Sequence, residues 1–224
     1  MSLKPVLLLG MVLLPLAACG NGRTDVTALS IAKSYVSPQV EPVVQDPARV
    51  AQAVTEALTV LDGPVALATF EKTKNNVVLR QIETNGPYRT WTSWGSGERR
   101  SVTTKNGVIT ATRGLRMDLM SSHIDGSLAL IVARKEGTAP RVQRYLNGDN
   151  QIEELSLQCR ISRSGEKRVQ SGEIDRMAVE MTEVCEGENR SIRNLYRVDN
   201  TGRVLQSVQW LNDFYGATVI QALR

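Results

Sequence analysis

Histidine is almost missing from this chain. His123 stands alone among 224 residues, so no multi-histidine metal centre is available. Aromatic residues are scarce as well, with 2 Phe, 3 Trp and 5 Tyr. No Lys/Arg run is interleaved with aromatics in the manner that tracks nucleic acid, and nucleic acid is therefore not an expected partner. No Gly-rich phosphate loop or dinucleotide fingerprint is present, and no cofactor is expected. No apolar run approaches the roughly 20 residues needed to cross a bilayer. The longest, Pro5–Leu16, has about 12. Charge of one sign is missing too: 27 basic against 23 acidic residues leave +4, a surface of mixed charges with weak attraction for anions.

Catalytic signatures are equally thin, and no catalytic residue is assigned. Ser121, Ser122, His123 and Asp125 contain the letters of a triad. Triad members must converge in space, however, and neighbours in the chain rarely do so. His123 is expected as a loop histidine among polar neighbours. Carboxylates are plentiful enough for a glycosidase pair, but no spacing selects one.

What is present begins at the amino end. Lys4, the apolar stretch Pro5–Leu16 and the small residues Ala17-Ala18 before Cys19 have the layout of a secretory signal peptide. A cysteine at this junction matches a bacterial lipobox. Residues 1–18 are then a leader, and Cys19 carries the diacylglyceryl group and, once exposed, an acylated amino end. Two or three acyl chains, at roughly 0.8 kcal/mol per buried methylene, hold a protein on its membrane where one chain would not. Gly20 stands where an aspartate would favour inner-membrane retention, so the outer membrane is the expected address. Residues 19–45, polar and broken by Pro38 and Pro42, read as a tether.

Export places the two remaining cysteines, Cys159 and Cys185, under oxidising conditions, where an even pair reads as a disulfide. Two buried free thiols on unrelated strands are the alternative. Residues 46–224 read as one β-rich domain. A single amphipathic helix opens it: Asp46 suits the N-cap, Pro47 the first turn, and Val50, Ala53, Val54, Ala57, Leu58 and Leu61 share one face. Asp62-Gly63-Pro64 stops it, with glycine free for a left-handed C-terminal turn.

From Val65 the period shortens. Val65–Phe70, Val77–Glu83, Tyr88–Trp94, Arg99–Thr104 and Val108–Thr112 are rich in β-branched and aromatic residues. Asn106-Gly107 between the last two is a hairpin signal. Leu128–Ala133, Val142–Leu146, Ile152–Ile161, Met177–Cys185, Ser191–Val198, Val204–Leu211 and Thr218–Leu223 continue the pattern, with Ser164-Gly165 among the expected separators. Leu155, Leu157 and Cys159 alternate with Ser156, Gln158 and Arg160, which points to antiparallel strands with one wet face. About ten such strands predict a large curved antiparallel sheet, a half-barrel or a sandwich.

Trp91, Trp94 and Trp210 are the candidate glycan contacts. Trp91 and Trp94 are three apart and point to opposite faces of a strand. An exposed indole beside Arg89, Arg99 or Arg100 would suit a sugar ring carrying a negative group. Packing of all three indoles in the core is the competing expectation.

Two stretches carry a resemblance. Trp91-Thr92-Ser93-Trp94 is followed by Asn106-Gly107-Val108-Ile109-Thr110-Ala111-Thr112-Arg113-Gly114-Leu115 and by Asp118-Leu119. Near the end, Asn194–Gly202 precedes Val204, Ser207, Gln209-Trp210 and a closing Ala217–Leu223 strand. Together these resemble the YjbF/GfcB family of group 4 capsule polysaccharide lipoproteins. Asn212-Asp213 stands where that family often has Gly-Pro. The resemblance implies an outer-membrane lipoprotein serving exopolysaccharide or capsule production, with acidic polysaccharide and secretion proteins as partners and no known reaction. Three function classes follow: a non-enzymatic accessory factor of polysaccharide secretion, a lipid- or lipoprotein-binding carrier or scaffold of the periplasm, and a glycan-modifying enzyme.

Overall fold

The computed structural model describes residues 45–95 and 100–224. The expected leader, Cys19, the tether up to residue 44 and Arg99 lie outside these residues. Helix α1 spans Pro47–Val60, and its N-cap is the expected one: the Asp46 carboxylate accepts from the Ala48 N–H at 3.0 Å. Its C-terminus is not. Gly63 stays out of the left-handed region, and Leu61 is extended. The end carbonyls, which lack helical partners, are taken by the chain's last residue: the Arg224 guanidinium donates to the carbonyls of Leu58 and Leu61.

Twelve strands follow rather than about ten: β1 (Val65–Phe70), β2 (Asn76–Asn85), β3 (Tyr88–Ser93), β4 (Ser101–Lys105), β5 (Val108–Arg113), β6 (Leu119–His123), β7 (Gly137–Leu146), β8 (Ile152–Ser171), β9 (Ile174–Glu186), β10 (Ser191–Val198), β11 (Val204–Asn212) and β12 (Gly216–Ala222). They form one antiparallel sheet in the order β5-β4-β3-β2-β1-β12-β11-β10-β9-β8-β7-β6. Every neighbour pair is consecutive in the chain except β1 and β12, which join the two ends of the domain, with Ala66 opposite Ala222 and Phe70 opposite Thr218.

The sheet curls until its edge strands meet, giving a nearly closed barrel. Between β5 and β6 side chains replace the backbone ladder. The Leu119 N–H donates to Thr112 Oγ1 at 2.9 Å, and Arg113 donates to the carbonyls of Leu119 and Met120. Asp118 accepts from the Thr112 hydroxyl, from Gly114 N at 2.9 Å and from Leu115 N at 3.0 Å. An edge that would otherwise invite foreign strands is thus clasped to its opposite number.

Two local expectations change. Leu128–Ala133 is not a strand but the core of helix α2 (Asp125–Ala133). A short all-apolar run does not distinguish a buried helix from a buried strand, and here Ser127, Leu128 and Ile131 are buried as α2 links β6 to β7 across one end of the barrel. Ser164-Gly165 does not end a strand either. Gly165, at φ 137°, sits in a bulge inside the 20-residue β8, and β9 pairs on both sides of it. A bulge absorbs an extra residue without breaking the ladder. The β8–β9 hairpin therefore overhangs the α2 end. Its tip folds onto the end of β12, where Glu173 N donates to the Leu223 carbonyl at 2.7 Å and Arg224 forks onto the Glu173 carboxylate at 2.6 and 2.9 Å.

Cys159 and Cys185 lie opposite each other on β8 and β9 and form a disulfide. They belong to an apolar cluster with Ile131, Ile161, Met181 and Tyr196. A second cluster, including Phe70, Leu79, Val102, Leu211 and Tyr215, fills the other half of the barrel. Helix α1 lies outside, its Ala57 packed with Val65, Val78, Leu67 and Trp94.

Candidate functional site

The Asn106-Gly107 turn joins β4 to β5 as expected, with φ of 45° and 80°, the values of a two-residue hairpin turn. Glycine is required here twice over, because a Cβ would stand 2.8 Å from Val204 Cβ. That close approach brings the β4–β5 turn against the β10–β11 turn, and Asn106 Nδ2 donates to the Gly202 carbonyl at 2.9 Å. The second turn is organised by Asp199, whose Oδ1 accepts from Thr201 N, Thr201 Oγ1 and Arg203 N at 2.6–3.0 Å. Burial pushes the Asp199 carboxyl up. The Thr201 hydroxyl, the two backbone donors and the Arg176 charge outweigh it and hold the carboxyl below the ordinary aspartate value.

Beside the two turns, at the same end as α2, the barrel opens into a cavity of about 450 Å³. Trp91 and Arg89 share one face of β3 and both line it. The indole is oriented by its Nε1–H, which donates to Thr104 Oγ1 at 3.0 Å. Gln81 stands opposite Trp91 on β2 and donates to Thr84, while its Oε1 is buried without a hydrogen-bond partner. Ala66, Val204 and Ile220 supply apolar wall, and Ser207 lies below. Three arginines, Arg89, Arg203 and Arg224, border this space, and no carboxylate side chain does. Arg224 is neutralised by Glu173. Arg203 donates to the main-chain oxygen of Arg224 at 3.0 Å, and Arg89 forms no ion pair among the described residues. The cavity is therefore an electropositive, part-aromatic mouth, suited to an anion attached to a body with both hydroxyls and an apolar face.

The other expected site residues lie elsewhere. Trp94 faces away from Trp91, as their odd separation required, and packs beneath α1. Arg100 lines the same outer cavity as Trp94. Trp210 is at the far end of the barrel, edge-on to Tyr145 at 5.9 Å, with the Arg190 guanidinium 4.8 Å over its ring. Arg190 is held there by a fork onto Asp213 at 2.6 and 2.7 Å. His123 ends β6 instead of sitting in a loop. It is exposed, and no hydrogen bond joins it to Ser121, Ser122 or Asp125 among the described residues.

One polar cluster went unread in the sequence. Inside the barrel the Glu183 Oε2 accepts from Arg141, Asn194 Nδ2 and the Tyr196 hydroxyl, each at 2.8 Å. Arg141 and Glu183 are 1% and 0% exposed. Burial opposes the Glu183 charge, but Arg141, Asn194 and Tyr196 outweigh it and keep the carboxyl below its ordinary value. The signal was a carboxylate between Met181 and Cys185 on the buried face of β9. Cys159, Cys185 and Glu183 also form the one close group of metal-ligating types among the described residues. The disulfide occupies both sulfurs, leaving a single carboxylate. Arg203 and Gln81 were missed in the mouth, since nothing marks a lone polar residue in a strand as facing inward.

Known proteins bear on this arrangement. A comparison with curated proteins gives no match. Among solved structures, the chain is similar to the hypothetical lipoprotein YmcC from Escherichia coli K12, with 17% identity, a TM-score of 0.67, and coverage of 80% of this chain and 96% of that one. At that identity the likeness concerns the fold. Among the described residues no helix is long and apolar enough to cross a membrane. The model of the YjbF family, group 4 capsule polysaccharide lipoproteins, matches residues 32–223, and the chain belongs to that family.

Proposed function

We propose that the protein is a lipid-anchored accessory factor of capsule or exopolysaccharide production at the outer membrane. It works by binding acidic polymer rather than by transforming it. The observation that carries this reading is the mouth of the barrel, where Trp91 stands beside Arg89 and Arg203 in a wall without carboxylate side chains. Membership of a capsule polysaccharide lipoprotein family supports the context, and the lipobox at Cys19 supports the anchor. Arginines, amides and hydroxyls in the cavity wall suit a glycan better than the acyl chains that the carrier reading would need.

The test is genetic and biochemical. Deleting the gene should lower secreted polysaccharide. A copy with Arg89→Gln and Arg203→Gln should restore it poorly, although the variant protein is made and localised. A Cys19→Ser copy should take up no labelled palmitate and should leave the membrane fraction. Unchanged polysaccharide in the deletion strain would refute the role. Shortening of purified polymer by the protein would replace binding with catalysis.

A further inference from the structure

We propose that the mouth takes one anionic end of a polysaccharide chain, not a stretch of its middle. This rests on the glycan reading above and adds to it the part of the polymer that is recognised.

The cavity is blind. Below it, Gln209 Nε2 donates to the Gly107 carbonyl at 2.9 Å and to Ser207 Oγ at 2.8 Å, while its Oε1 accepts from Ile109 N at 2.9 Å. These bonds tie β11 to the opposite wall through the barrel interior. Beyond them lies the packed cluster of Phe70, Leu79, Val102, Leu211 and Tyr215. The cavity beside Trp210, at the far end, is a separate space of about 160 Å³. Among the described residues no channel leads from one end to the other, so a polymer that enters must stop.

The rim is bridged as well. Asn106 holds the Gly202 carbonyl, Arg203 holds the main-chain oxygen of Arg224, and Arg224 holds the end of α1 and Glu173. This series runs from the β4–β5 turn past β11 and β12 to the helix. It leaves Arg89, exposed and without an ion-pair partner among the described residues, on the unbridged side. A strand of polymer lying across the mouth would have to cross the bridged rim, whereas an end entering past Arg89 meets no bridge. A volume of about 450 Å³ falls in the lower part of the ~300–1,000 Å³ span of small-ligand sites. It is room for a terminal unit, not for an extended segment. In that position a terminal carboxylate pairs with the Arg89 fork, the ring lies along Trp91, and a sugar hydroxyl satisfies Gln81 Oε1.

The closing experiment is calorimetric titration with galacturonate and glucuronate disaccharides, with the corresponding long polyuronates, and with maltose as the neutral probe. The disaccharides should bind and should compete fully with the polymers. The number of proteins bound per polymer chain should stay at one as the chain lengthens. Arg89→Gln should weaken binding by about tenfold or more, as expected for losing hydrogen bonds to a charged group, with an unchanged melting temperature. Several proteins per polymer chain, without competition from disaccharides, would overturn end recognition and leave the glycan reading standing. Maltose binding as well as the uronates would overturn the anionic requirement. Failure of every uronate to bind the wild-type protein would bring down both readings.

Discussion

Glu183 shows how one side chain ties the barrel interior together. It sits on β9 among apolar neighbours, yet it is ionised, because Arg141 on β7 and Asn194 and Tyr196 on β10 converge on one of its oxygens. Such a pair stabilises little relative to apolar residues of the same shape, but half a pair is costly: removal of one partner strands a buried charge at about 3–5 kcal/mol. Glu183→Gln should therefore lower the denaturation midpoint sharply at neutral pH, and Arg141→Met combined with Glu183→Leu should recover most of the loss. The pH dependence follows from the depressed carboxyl. Its contribution is complete above the ordinary glutamate value of 4.5 and is lost as pH falls through the lower folded value. The wild-type protein should weaken progressively below that point, and Glu183→Gln should flatten this part of the profile. Equal stability of wild type and Glu183→Gln in urea titrations would contradict the account. The position was partly legible, since a glutamate in phase with Met181 and Cys185 conflicts with the apolar pattern. Its partners were not, because Arg141 comes from a strand that meets β9 only through β8 and the curvature of the sheet.

At the scale of elements, the family motif around Thr112, Gly114 and Asp118 has a mechanical explanation. Asp118 organises the link between β5 and β6 through three donors, and Thr112 and Arg113 replace the missing ladder. Asp118→Ala should cost about 1–3 kcal/mol through the donors it leaves unmade. Amide exchange should quicken in β5 and β6 while β1 and β12 keep their protection. Uniform loss of protection would show that the seam is not a local unit. Gly172 is a second element-level test. At φ 57°, and with a Cβ position 2.6 Å from the Leu223 carbonyl, it lets the hairpin tip seat on β12. Gly172→Ala should lift that tip and raise proteolytic nicking near residue 173. Helix α1 was readable from its cap and its spacing. Strand β6, Leu-Met-Ser-Ser-His, carried neither β-branched residues nor alternation, and α2 carried no helical stripe because its exposed side is made largely of Gly126, Ala129 and Ala133 rather than of polar residues.

For the whole molecule, closure depends on β12. It lies between β1 and β11, so the first strand of the domain is paired with the last. A chain ending before Gly216 should lose cooperative folding altogether, because its sheet would divide into β1–β5 and β6–β11. A sigmoidal unfolding transition in that truncated protein would contradict this. The disulfide works on a shorter range, joining neighbouring strands 26 residues apart in sequence. Replacing Cys159 and Cys185 with alanine should lower stability by about 2–5 kcal/mol without opening the barrel, measured as a lower urea midpoint with an unchanged far-ultraviolet spectrum.

The amino-acid sequence by itself determined the local matters: one capped helix, an Asn-Gly hairpin, a run of half-buried strands and a cysteine pair. Each follows from forces acting over a few residues, such as backbone preference, capping and the two-residue period of a strand. Tertiary structure alone decided that the sheet closes, that Glu183 finds a buried arginine, and that Arg89, Trp91 and Arg203 border one blind mouth. Those outcomes depend on twist accumulated over twelve strands and on the pairing of β1 with β12. Residues more than a hundred positions apart are set side by side only once the curl is complete.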